Sequence, residues 1–152
     1  MKTELLQLSN NLKHSFAAVS GIVISFLMPI IPLILIVGAA IALDTLTGLY
    51  KSYKTNKPIT SRGLSAMVSK MLLYQLALIL FFCIEKFVLS DIIGVVTAIP
   101  LILTKLVTTT LLFIELTSIN ENYKDVTGVN VWQKFRDLLK RAKEVSDEVK
   151  DF

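Results

Sequence analysis

The amino-acid sequence predicts an all-α integral membrane protein: a four-helix transmembrane bundle with a C-terminal amphipathic helix. Three observations predict it. Residues 14–43 carry no formal charge, and two more apolar stretches follow at 64–84 and 92–116. A helix of roughly 20 apolar residues crosses a hydrocarbon core about 30 Å thick. Of the 152 residues, 53% are hydrophobic, and Lys and Arg gather at the N-terminus, in residues 51–62 and after residue 123. In such a chain basic clusters are topology signals before they are nucleic-acid contacts, so no nucleic-acid partner is expected, while membrane lipid is. The apolar blocks leave no room for a separate soluble catalytic domain.

Residues 1–14 are polar and amphipathic, and form an N-terminal interfacial segment. The first span covers about 15–28. Met28-Pro29-Ile30-Ile31-Pro32 interrupts the apolar run, because proline lacks a donor and clashes with the preceding turn. A tight turn there separates the first span from a second at about 32–50. The first is short, about 21 Å long, and either spans or re-enters. The run is too long and too broken for a cleaved signal peptide. The basic stretch 51–63 precedes a third span at 64–84. Glu85, Lys86 and Asp91 mark the next turn, and a fourth span covers 92–116 with a kink at Pro100. Counting Lys and Arg in the short loops puts both termini in the cytoplasm.

Residues 117–130 read as a cytoplasmic linker and 131–152 as an amphipathic helix. Val131, Phe135, Leu138, Ala142, Val145 and Val149 recur with spacings of 4, 3, 4, 3 and 4. That stripe suits either a coiled-coil seam or a helix on the headgroups anchored by Trp132.

Ionisable side chains inside lipid are costly, and each is a functional hypothesis. Asp44, Lys70 and Glu115 share one expected depth, about 5–10 Å below the cytoplasmic headgroups, and form an expected ion-pair cluster. Lys105 is expected near mid-bilayer, about 15 Å from either surface. On the same predicted helix Thr97, Thr104, Thr108 and Glu115 fall near one line, flanked by Lys105. This is a candidate pore stripe. Ala17, Gly21 and Ser25, and Gly38 and Ala42, are small residues spaced by four. Such faces let helices approach closely in lipid, and with the C-terminal stripe they are candidates for homo-oligomerisation.

Catalytic chemistry has no foothold. The lone Cys83 sits in an apolar run and the lone His14 at a span start. No phosphate-binding glycine loop, metal motif or Ser/His/Asp arrangement is present, so no enzyme, cofactor or metal is expected.

Three segments resemble a known family. Asp44-Thr45-Leu46-Thr47-Gly48 resembles a D-x-x-T-G element at the end of an early span. Thr60-Ser61-Arg62-Gly63, followed by Lys70, resembles the S-x-x-G segment that opens the next span. Glu115 through Asn122, with Ser118, Glu121 and then Gly128, resembles an E-x-x-S-I-x-E-N…G element that leaves the last span. Their order and spacing are similar to the phage holins that include toxin-secretion and phage-lysis holins. The long tail and Lys105 depart from that pattern. The resemblance implies a protein of the bacterial cytoplasmic membrane that oligomerises and permeabilises it, with an endolysin or a toxin as functional partner. From the residues alone two other readings stand: an ion-coupled transporter or channel, and a membrane anchor docking a partner through its last helix.

Overall fold

The structure, a computed structural model, describes residues 2–150, and every regular element among them is helical. Its α-helices are α1 (Lys2–Leu27), α2 (Ile31–Lys54), α3 (Ser61–Ile84), α4 (Ser90–Val96), α5 (Ile102–Thr127) and α6 (Val131–Lys150). Two helical stretches are long and apolar enough to cross a bilayer, Asn10–Lys54 and Ile102–Thr127.

Helix α2 is the centre of the bundle. It packs most extensively on α5 and next on α3, and α3 closes against α5. Val37, Ile41 and Leu78 form the fully buried core, with Met71, Tyr74 and Leu111 packed around them. Around this thin core the usual distribution is inverted. Leu35, Leu43, Leu72, Leu73, Leu76 and Leu80 face outward, whereas Asp44, Glu85 and Glu115 are buried. Water-soluble domains rarely bury carboxylates beneath an apolar exterior; a bundle dissolved in lipid does.

The junction between α1 and α2 differs from the expected tight turn. Met28–Ile30 form one 3-10 turn, and Leu27, Ile30 and Ile31 all keep right-handed backbone angles. Pro29 and Pro32 each stand in the first turn of their element, where the missing N–H costs nothing. The break is therefore a change of helix type and not a loop. Helix α1 makes no lengthwise packing with α2 among the described residues. Among its described side chains Phe16, Val19, Ile22 and Val23 are exposed, and its end is tied down where Phe26 meets Phe82 and Phe87 at ring distances of 5.3 and 5.8 Å.

The stretch expected as one fourth helix is broken in two. After α3 a π-helical turn, Glu85–Leu89, leads into the seven-residue α4. Thr97 is then fully extended (φ −148°, ψ 144°) and Leu101 is left-handed (φ 57°) before α5 begins. Pro100 stands in this break: it has no N–H to donate and its ring would clash with the carbonyl of Val96 four residues earlier, so α4 cannot run on through it. In compensation α5 continues through Thr127, into the stretch expected as a linker.

Helix α5 stops at Gly128, whose φ of 70° is the left-handed cap that glycine adopts without strain, and whose N–H donates to Lys124 O at 2.8 Å. The turn into α6 is specified by two asparagines. Asn130 Oδ1 accepts from the Trp132 and Gln133 amides at 3.0 and 3.4 Å, and Asn120 Oδ1 accepts from the Val131 amide at 2.9 Å. The side chains of Val145 and Val149 lie outside the described residues.

Candidate functional site

Three helices converge on one ammonium. Lys70, two and a half turns into α3, donates to Asp44 Oδ2 of α2 at 2.8 Å and to Glu115 Oε2 of α5 at 3.0 Å. Glu115 is completely buried, and its Oε1 has no hydrogen-bond partner among the described residues. Lys70 keeps about a third of its side chain exposed, so the triad has one wet edge.

The network continues toward the end of the bundle. Asn122 lies two turns past Glu115 on α5, hence on the same face. Its Nδ2 donates to Asp44 Oδ1 at 3.2 Å and to Thr47 Oγ1 at 3.4 Å, and its Oδ1 accepts from Lys51 Nζ at 3.4 Å. Lys51 in turn pairs with the exposed Asp125 at 2.6 Å. A Cβ on Gly48 would lie 3.6 Å from Asn122 Nδ2, so the small residue lets α2 and α5 close around the amide. Glu115, Lys70, Asp44, Asn122, Lys51 and Asp125 thus form a polar ladder from the buried interior to the surface. A cleft of about 300 Å³ opens beside it, lined by Asp44, Gly48, Gly63, Lys70, Ser118 and Asn122.

A buried triad of this kind contributes little net stability over an apolar replacement, but it penalises every packing that separates its members. Its physical effect is to specify one registration of α2, α3 and α5.

The structure therefore brings together Asp44, Lys70 and Glu115, and with them Thr47, Gly48 and Asn122 of the resembling segments. Gly63 and Ser118 line the adjoining cleft, Gly128 caps α5, and Ser61 and Glu121 are exposed.

The threonine line is only partly assembled. Thr104, Thr108 and Glu115 are buried on one face of α5, but Thr97 precedes that helix and its Oγ1 accepts from the Ile99 amide. Thr108 returns its hydroxyl to Thr104 O at 2.8 Å. Lys105 is exposed and stands in the first turn of α5, about 4.5 Å along the axis from Ile102, not mid-helix. The restart after Pro100 moves it toward a helix end, where an ammonium reaches water readily.

The small-residue faces separate as well. Gly38 is turned inward, and a Cβ there would contact Gln75 and Met71 of α3; Ala42 is half-buried. Ala17, Gly21 and Ser25 remain exposed on α1.

One buried carboxylate was not anticipated. Glu85 is buried at the end of α3 and accepts from the Leu103 and Thr104 amides at 3.1 and 2.9 Å and from Thr104 Oγ1 at 2.6 Å. It caps α5 from another helix. The signal was an omission: a helix restarting after Leu101 has no side chain at its own N-cap to satisfy its first amides, so an acceptor has to arrive from elsewhere.

An inverted exterior, long apolar helices and carboxylates buried between helices define a helical membrane protein. Sequence comparison narrows that class: the model of the bacteriophage holin family matches residues 21–144. The chain belongs to that family. No curated protein and no solved structure matched it.

Proposed function

We propose that this chain is a holin of the bacterial cytoplasmic membrane, which accumulates, assembles with copies of itself and opens a lesion through which an endolysin or a toxin passes. The family match over residues 21–144 is the observation that carries this reading.

In the membrane, the helical run Asn10–Lys54 is about 68 Å long, more than twice the hydrocarbon thickness. A chain that stays in the bilayer must change direction within it, and we assign that bend to Met28–Ile30, where the helix type changes although the backbone stays right-handed. With α2, α3 and α5 crossing in alternation and α1 as a further crossing, Lys51, Lys54, Lys57 and Arg62 face the cytoplasm, as do both termini. This is the four-span arrangement in its amended form, α5 replacing the stretch 92–116.

The triad holds each protomer in its compact state. The exposed small-residue face of α1 (Ala17, Gly21, Ser25) brings protomers together as density rises. When α5 parts from α3, the Thr104, Thr108 and Glu115 face turns to water and lines the lesion, with Lys105 and Thr97 toward its far end.

The test is inducible expression in a bacterium with membrane potential followed over time. The reading requires an abrupt loss after a delay, and a shifted delay for Glu115→Leu. A gradual loss, or none, overturns it. A second reading, an ion-coupled transporter, is favoured by the unpartnered Oε1 of Glu115; it requires substrate-dependent flux with the potential maintained.

A further inference from the structure

Helix α6 carries an apolar face that nothing among the described residues fully covers. Val131, Phe135, Leu138 and Leu139 are exposed, and an apolar cleft of about 340 Å³ runs beneath the first turn between α5 and α6. At about 100° per residue, with Phe135 as origin, Val131, Trp132, Leu138, Leu139 and Ala142 fall within roughly 60° on either side. That arc is wider than a coiled-coil seam, because Trp132 and Leu139 broaden it. Its borders carry one sign of charge. Lys134 and Arg141 flank one edge and Arg136 and Lys143 the other, while Asp137 and Glu144 lie on the far side. Two copies joined through this face would find no acidic residue on either border among residues 131–144 to pair with those cations. Anionic headgroups above an acyl layer match both features.

The position of the helix agrees. Asn120 Oδ1 accepts from the Val131 amide at 2.9 Å, so α6 starts beside α5 two turns before α5 ends. There the Trp132 ring lies 5.9 Å from that of Phe113, in the apolar part of α5. Tryptophan at that level belongs to the interfacial belt.

We infer that α6 is a lipid-binding helix. It lies in the headgroup layer of an anionic membrane, with Phe135, Leu138 and Leu139 in the acyl boundary and Lys134, Arg136, Arg141 and Lys143 on lipid phosphates. This rests on the membrane reading above.

The experiment uses the full chain with Cys83→Ser, which removes the sole cysteine, in phosphatidylcholine vesicles with or without phosphatidylglycerol. Spin labels are placed at Leu138→Cys and, as control, at Leu35→Cys on the outer face of α2. The Leu138 label is expected to be oxygen-accessible and shielded from an aqueous relaxant when phosphatidylglycerol is present. Its partition should weaken about fivefold for each of the four cations changed to Gln. In the unlabelled chain Trp132, the sole tryptophan, should be quenched by brominated phosphatidylglycerol. A water-exposed Leu138 label beside a lipid-buried Leu35 label overturns the inference alone. So does spin–spin broadening between copies at Leu138 without lipid exposure, which would make a second copy the occupant. A water-exposed Leu35 label overturns the membrane reading and this inference with it.

Discussion

Replacing Lys70 by methionine deletes the ammonium that two carboxylates share while keeping the length of the side chain. Glu115 suffers most, because it is wholly buried and Lys70 is its only partner among the described residues. Asp44 retains the Asn122 amide at 3.2 Å. Breaking a buried pair from one side costs about 3–5 kcal/mol. Lys70 is partly exposed, so water reaches the orphaned pair and the lower end applies, about 3 kcal/mol, roughly a hundredfold in the folding equilibrium. Converting Glu115 to leucine in the same chain removes the stranded charge, and the double variant should recover more than half of the loss. The assay is equilibrium unfolding in mixed detergent micelles, read by Trp132 emission and by helical circular dichroism. A single variant within about 1 kcal/mol of the parent, or a double variant no more stable than the single, refutes the reasoning.

Three further outcomes are expected. Glu85→Ala strips the acceptor from two buried donors of Thr104 and the half-buried Leu103 amide and should cost about 2–3 kcal/mol, with faster amide exchange confined to Leu103 and Thr104. Gly128→Ala forces a left-handed alanine at the end of α5 and should cost about 1 kcal/mol; an unchanged thermal midpoint would contradict the cap. Lys51 and Asp125 form a solvent-exposed pair at the end of the ladder, whose attraction is screened by salt. A salt series of melts should therefore separate Asp125→Asn from the parent at low ionic strength and bring the two together at high salt.

What could be read from the residues, and what could not, divides along physical lines. The triad was legible because charge in lipid is scarce: Asp44, Lys70 and Glu115 stand out against apolar neighbours, and depth alone predicts their meeting. Asn122 figured only as part of a resembling segment, since a neutral amide gives no such contrast, yet it is the hub joining the triad to Lys51. The span 92–116 failed at Pro100. Hydropathy registers how oily a stretch is, but not that the backbone turns left-handed at Leu101 and restarts. That one displacement also misplaced Lys105 and detached Thr97 from the threonine line. At Met28–Ile30 the prolines were visible, but their place in first turns, where they are tolerated, depends on helix boundaries that hydropathy leaves open.

The carboxylate that caps α5 has a consequence for biogenesis. Glu85 leaves the ribosome eighteen residues before Leu103, so a nascent chain carries an acidic group into the insertion machinery ahead of the amides that neutralise its isolation. Neither partner is content in oil alone, one as a bare anion and the other as free donors. The segments on either side of Glu85 are therefore expected to become stable in lipid only together.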